Sequence, residues 1–267
     1  MAVVLVTGGS SGIGRATVQR LVSAGDRVFS MSRRPTPVDG ATSIELDLLD
    51  PSAAGEAVAA VVADAGRIDA VVNNAGRGTL GPIEDVSDDE VAAMFGVNVF
   101  APLRLARAAL PHLRAAGGGR IVNVTSMNDV LPAPYGGHYS ASKAALASAS
   151  RVLDAEVRPT GVSVTVVAPG LFLTAMAEAL DSYTIDPSSP HATAFANLLA
   201  AAPARLPTAG DPDVVAQAIE SVLRADDPPA RVVVGDDARA MSDWLAGLDD
   251  ESLATALRSY VQSLSTP

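Results

Sequence analysis

AVVLVTGGSSGIGRATV, residues 2–18, places four glycines among the eight residues from Thr7 to Gly14, immediately after an unbroken apolar run. The run is short and β-branched, as a strand buried on both faces requires. The segment after it, IGRATVQRLVSAG (13–25), has helical spacing and stops on Gly25. Glycines 8, 12 and 14 therefore occupy a strand-to-helix turn. Such a turn lets the backbone approach a ligand, and the helix beginning near Ile13 aims unpaired N–H groups and a positive dipole end at it. A dinucleotide pyrophosphate suits this arrangement. The spacing is G-x-x-x-G-x-G, not the general G-x-G-x-x-G, so a plain surface turn is the competing reading of the loop by itself.

The same rhythm continues down the chain. RVFSMS (27–32), TSIELDL (42–48), IDAVVNN (68–74), RIVNVTS (120–126), VSVTVVAP (162–169) and RVVVG (231–235) read as further strands. Between them lie helical patterns at 51–66, 88–95, 99–116, 140–158 and 211–225, the first with Pro at its start and Gly at its end. Continuous Val/Ile runs between helices predict a seven-stranded parallel sheet covered on both faces, the α/β class. Residues 171–210 hold four prolines and no strand pattern, and are expected to form a substrate lid. Residues 236–267 form a C-terminal tail with one weakly amphipathic stretch, ESLATALRSYVQSL, and Trp244 is expected to anchor it by packing. No linker divides the chain, so 1–267 reads as one domain.

Composition narrows the function classes. A formal charge of −11 argues against nucleic acid or an anionic membrane as partner. With no cysteine, disulfides, thiolate catalysis and cysteine-ligated metals are excluded, and a cytoplasmic location is expected. The three histidines, His112, His138 and His191, lack metal-ligand spacing, so no metal is expected. The N-terminus has neither a basic leader nor a long apolar stretch.

Two further clusters carry chemistry. In dinucleotide-binding units an acidic residue after the second strand holds the ribose 2′-hydroxyl, whereas an arginine accommodates a 2′-phosphate. Here SMSRRP supplies Arg33 and Arg34, with no acidic residue from Arg27 through Val38, which favours NADP(H) over NAD(H). In TSMNDVLPAPYGGHYSASKAAL (125–146), Tyr139 and Lys143 stand four apart at a helix start and share a face. A cation beside a phenol is expected to lower the phenol's pKa and make it a usable acid/base. Ser126, ending a strand, could polarise a carbonyl that Tyr139 also contacts.

Taken together, TGGSSGIG, NNAG (73–76), Asn98 in VNV, Ser126, YSASK and PGLFLT (169–174) resemble, in order, the motifs of the short-chain dehydrogenase/reductases, compact single-domain branch; the resemblance covers residues 2–235. It implies a doubly wound Rossmann fold and hydride transfer between a nicotinamide and a carbonyl carbon. It implies Tyr139 as general acid/base, Lys143 holding the nicotinamide ribose and lowering the tyrosine pKa, Ser126 orienting the substrate oxygen, and Asn98 supporting a water-linked proton relay from Lys143. Gly8, Ser10, Gly12, Ile13 and Gly14 would line the phosphates and the adenosine side, with Asp47 and Leu48 flanking adenine. Asn74, Ala75 and Gly76 would border the ribose, and Pro169, Gly170 and Thr174 the nicotinamide. Ser11 stands where many NADP-preferring members carry a basic residue, so cofactor preference rests on Arg33 first and Arg34 second.

Arg77–Pro82, Met127–His138 and 171–205 would frame the pocket, contributing Met127, Leu131, Tyr135, Leu171, Phe172, Met176, Leu180, Tyr183 and Phe195. That apolar wall suits a bulky hydrophobic ketone or secondary alcohol, hence a ketoreductase. The resemblance also implies a homodimer or homotetramer through the helices at 99–116 and 140–158. The alternatives are a catalytically silent NADP(H)-binding regulatory protein, expected to show an eroded catalytic set, and a nucleotide-sugar epimerase or dehydratase, expected to be longer.

Overall fold

The computed structural model describes residues 1–174 and 183–265. Its centre is a seven-stranded, wholly parallel sheet in the order β3-β2-β1-β4-β5-β6-β7. The strands are β1 (Val3–Thr7), β2 (Arg27–Ser32), β3 (Thr42–Glu45), β4 (Ala70–Asn73), β5 (Gly119–Val124), β6 (Val162–Pro169) and β7 (Arg231–Val234). The order reverses between β1 and β4, so their carboxyl ends flank a crevice where the crossovers diverge to opposite sides. This is the doubly wound Rossmann arrangement.

Alternation along the strands fills two cores. Val3 and Leu5 of β1 face one side with Phe29, Met31, Val71 and Ile121, under α2 (Ala53–Ala65) and α4 (Ala101–Ala115). Val4 and Val6 face the other with Val28, Val72, Val122 and Val124, under α1 (Gly12–Ser23) and α7 (Pro212–Arg224). Both faces being apolar explains why the strands read as unbroken hydrophobic runs.

Several boundaries differ from expectation. The long helix α5 spans Gly137–Val157, starting three residues before the expected 140, so Tyr139 lies within its first turn. A π-helical stretch, Gly96–Phe100, joins α3 (Asp88–Phe95) to α4. The combined run Asp88–Ala115 is long and apolar enough to cross a membrane by composition. Its apolar face is instead spent on the sheet through Leu105, Ala106, Ala109 and Leu113, as in an ordinary core helix. The 171–210 segment contains α6 (Ala192–Ala201) and an isolated parallel bridge between Phe172 and Gly210.

The tail forms two helices, α8 (Asp236–Ala246) and α9 (Asp250–Ser265), in place of one amphipathic stretch. Trp244 is 43% exposed and does not anchor it. The anchor is α9 itself: Val261 and Leu264 pack against a cluster containing Tyr135, Ala194 and Phe195, and Asn197 Nδ2 donates to the Leu264 carbonyl at 2.8 Å.

Candidate active site

The crevice begins at the β1–α1 loop. Gly8 and Gly12 take φ of +71° and +51°, conformations that L side chains rarely adopt. A Cβ on Gly14 would lie 2.2 Å from the Gly8 carbonyl oxygen and 2.3 Å from Asn74 Nδ2, so only glycine lets the helix start this close to the neighbouring loop. The N-terminus of α1 has no side-chain cap and no acidic residue in its first turn. By contrast, α7 is capped by Asp211 and carries Asp213, and α3 is capped by Ser87 ahead of Asp88, Asp89 and Glu90. A positive helix end with no acidic residue in its first turn, beside a glycine loop, is what a pyrophosphate requires, so the residues present fit a dinucleotide.

Thr7 fastens this loop to the next. Its hydroxyl accepts the backbone N–H groups of Asn74 and Ala75 at 3.1 and 3.0 Å, while Asn74 Nδ2 donates to the Thr7 carbonyl at 3.0 Å. Asn74–Gly76 therefore stands against Gly8. From the far side, Thr174 brings its methyl group to 3.1 Å from where a Gly12 Cβ would be. Pro169 ends β6, and Gly170 lies so close to Asp237 that a Cβ there would meet the carboxylate. Arg33 and Arg34 follow β2 as exposed side chains, in no ion pair among the described residues. Asp47 and Leu48 follow β3, where Asp47 Oδ1 accepts the Leu49 N–H at 3.0 Å.

The Tyr–Lys cluster forms at the end of β5. Ser126 lies near enough to the Tyr139 hydroxyl to lower its pKa, and its Oγ accepts the Asn128 N–H at 3.2 Å. Lys143 is 3% exposed, sits 5.8 Å from the centroid of the Tyr139 ring, and donates to the Val124 carbonyl at 3.0 Å. Desolvation brings the lysine pKa down to about 8, opposed by the charge of Asp129. Desolvation also pushes the Tyr139 phenol up to about 12; Ser126 lowers it, and Asp129 and Tyr183 raise it further. The expectation that the lysine pulls this phenol toward neutrality is therefore not met here. The ammonium points to a backbone carbonyl, and burial dominates.

Asn98 occupies the π-helical stretch and is fully buried. Its amide donates to the Arg77 carbonyl at 2.8 Å and to Ser142 Oγ at 2.9 Å, and its oxygen accepts the Arg77 N–H at 2.8 Å. These bonds hold the loop after β4 against α5. Among the described residues no direct bond links Asn98 to Lys143.

The expected pocket wall is brought together in part. Tyr135, Tyr183 and Phe195 gather with Leu80, Leu198 and Leu199 under α6 and α9. Phe172 does not join them: it is a core residue packed with Val167, Val215 and Val234 below α7. Leu171 turns toward α8, its N–H donating to Asp237 Oδ2 at 2.7 Å. Met176 and Leu180 lie outside the described residues.

Sequence reasoning missed Thr7, Asp237 and the buried pair Asp129–Arg231, whose members lie 102 positions apart. It also passed over a compositional signal: Lys143 is the only lysine in the chain, beside eighteen arginines. Lysine, unlike arginine, changes its pKa readily on burial.

Comparison with known proteins follows this geometry. The model of the short chain dehydrogenase family matches residues 2–184. A 3-ketodihydrosphingosine reductase of Bacteroides thetaiotaomicron is 36% identical over 173 residues, 64% of this chain and 64% of that protein. The monensin polyketide synthase putative ketoacyl reductase of Streptomyces virginiae is 36% identical over 189 residues, 66% of this chain and 72% of that one. Among solved structures, a short-chain dehydrogenase from Streptomyces avermitilis superposes with TM-score 0.80 at 33% identity, covering 98% of this chain and 96% of that one. A metagenomic short-chain oxidoreductase in complex with NADP gives TM-score 0.69 at 29% identity, covering 87% and 96%.

Proposed function

Because the chain belongs to the short-chain dehydrogenase family, we propose that this oxidoreductase is an NADP(H)-dependent ketoreductase acting on bulky hydrophobic ketones and, in reverse, on secondary alcohols. The observation that carries the reading is the convergence of Ser126, Tyr139 and the chain's single lysine at the carboxyl end of β5, on the sheet edge that bears the glycine loop. Two similar proteins named as keto-group reductases and one neighbour complexed with NADP support the direction and the cofactor.

Gly8, Ser10, Gly12, Ile13 and Gly14 would hold the pyrophosphate and Arg33 and Arg34 the 2′-phosphate, with Asp47 and Leu48 beside adenine. Asn74–Gly76 would border the ribose, and Pro169, Gly170 and Thr174 the nicotinamide. When bound, the nicotinamide supplies the hydride for reduction and takes it up in oxidation. Ser126 orients the carbonyl oxygen, and Tyr139 gives that oxygen its phenolic proton. A phenol held near 12 stays protonated at neutral pH, the form a general acid needs. Lys143 contributes positive charge beside the phenolate left behind, and Asn98 fixes the loop that closes this side.

Residues 1–267 act as one domain in this reading. Segment 171–210 covers the substrate, and the apolar cluster around Tyr135, Tyr183 and Phe195 receives its bulk. A homodimer or homotetramer forms through α4 and α5, where Phe100, just before α4, and Val152 of α5 are 50% and 57% exposed. A chain without cysteine suits the reducing cytoplasm.

The test is absorbance-monitored consumption of NADPH and NADH with α-tetralone and 2-decanone, wild type beside Tyr139→Phe. NADPH-dependent turnover by the wild type alone is expected. Turnover retained by Tyr139→Phe would refute the mechanism. NADPH binding without turnover on either ketone would move the balance to a silent binding protein.

A further inference from the structure

The turn that carries Ser126, Met127–Asp129, ends on a buried carboxylate. Asp129 Oδ2 accepts from Thr125 Oγ1 at 2.6 Å and from Arg231 Nη1 at 2.8 Å, and Oδ1 accepts from Arg231 Nη2 at 2.7 Å. Its N–H donates to the Ser126 carbonyl at 3.0 Å. The pair is asymmetric: the Asp129 side chain is 0% exposed and that of Arg231 22%. Arg231 opens β7 and is in register with Val166 of β6, so the positive end is anchored in the sheet and reaches toward water. The negative end stays inside, on the turn that packs against α5, the helix carrying Tyr139 and Lys143.

A buried ion pair adds little to stability that apolar residues of similar volume could not supply, and breaking one is costly. Its retention here calls for another account. We propose that Asp129, clamped by Arg231 and Thr125, is a positioning residue that fixes the Ser126 turn and provides the buried negative charge that keeps Lys143 an ammonium ion. This rests on the reading of Ser126, Tyr139 and Lys143 as the reacting set. Among the described residues, the groups acting on the two titrating centres are these. Ser126, Asp129 and Tyr183 act on Tyr139, and Asp129 acts on Lys143, with Arg231 behind it. Asp129 raises the pKa of both Tyr139 and Lys143, so its removal moves both in one direction, downward.

The single lysine makes the test direct. Protein labelled with 13Cε-lysine has one lysine signal, and its chemical shift against pH titrates Lys143 without substrate or cofactor. The wild-type inflection is expected near the value of about 8 given by its burial. Asp129→Asn is expected to lower it by about one pH unit, the size of one charge acting across several ångströms of protein. Arg231→Met, which removes the cation that screens Asp129, is expected to raise it. The alkaline limb of kcat/KM for α-tetralone reduction should follow the same two directions, and Asp129→Asn should lower kcat more than it raises KM for NADPH. An inflection unmoved in Asp129→Asn, with only lower thermal stability, overturns the inference. If that variant does not fold, an inflection unmoved in Arg231→Met does so. Turnover retained by Tyr139→Phe would instead overturn the parent reading, whatever the lysine signal does.

Discussion

Lys143 donates its hydrogen bond to the Val124 carbonyl, 3.0 Å away, on the last residue of β5 and two residues before Ser126. The ammonium is thereby tethered to the strand that delivers the serine. That tether is made at the cost of burying a charge.

The first prediction concerns that cost. Folding lowers the Lys143 pKa from 10.5 to about 8, a difference worth about 3 kcal/mol. The sign follows from proton binding. Between about 8 and 10.5 the unfolded chain binds more protons at this site, so stability from this group rises with pH across that window and the full penalty applies below it. Lys143→Met removes the penalty and one hydrogen bond, leaving a net gain of about 1–2 kcal/mol at pH 7. Its melting temperature should exceed wild type by a few degrees at pH 7, with the advantage fading as pH passes 8 toward 10.5, while ketone reduction is lost. A melting temperature below wild type at pH 7 would contradict it.

A second prediction separates the two directions of reaction. With the Tyr139 phenol near 12, the protonated form needed for reduction persists through the neutral range, whereas the phenolate needed for alcohol oxidation is scarce. Oxidation of 1-tetralol should climb steeply with pH from 7 to 9, while reduction of α-tetralone should not. Parallel pH–rate profiles measured with the same cofactor pair check it, and two profiles of the same shape would count against Tyr139 as the group transferring the proton.

Cofactor preference provides the third. Arg33 and Arg34 are exposed, so a 2′-phosphate there would be held by charge-assisted bonds worth roughly 1.5–3 kcal/mol. Replacing both with alanine should weaken NADPH binding by about 10–100-fold and leave NADH within about twofold, by fluorescence titration. The NADPH loss should shrink at high salt. Equal weakening of both cofactors would place the 2′-phosphate elsewhere.

Two glycines provide the fourth. Gly14→Ala drives a methyl into the Gly8 carbonyl and Asn74 Nδ2, so it should lower stability by about 1–3 kcal/mol and weaken cofactor binding. Gly55, exposed in α2 with nothing within 4 Å of a Cβ, should behave oppositely. Gly55→Ala is expected to raise stability by up to about 1 kcal/mol without affecting cofactor binding. Chemical denaturation of the two variants distinguishes a close approach from a merely tolerated glycine.

Much of the fold was readable because its signals are local. Apolar runs buried on both faces, glycines ending helices and prolines beginning them do not depend on what packs against them. Three readings failed where they depended on partners. Phe172 looked like a pocket residue because it is apolar and lies in the 171–205 segment expected to frame the pocket, yet it fills the core over Gly210. Trp244 looked like an anchor because of its size, yet α9 takes that role through Val261 and Leu264. The Tyr139 phenol looked lowered because a lysine is one turn away, yet burial outweighs that spacing.

By itself the sequence determined the parallel sheet, the glycine turn at the head of α1 and the four-residue spacing of Tyr139 and Lys143, because periodicity and backbone permissiveness act over a few residues. Tertiary structure alone decided that Thr7 would clasp Asn74, that Asn98 would secure Arg77, and that Arg231 would cross from the edge strand β7 to Asp129. It also decided the protonation behaviour of the site. A pKa depends on how much water the fold removes and which charges it leaves facing the group, and neither quantity exists until the chain has closed.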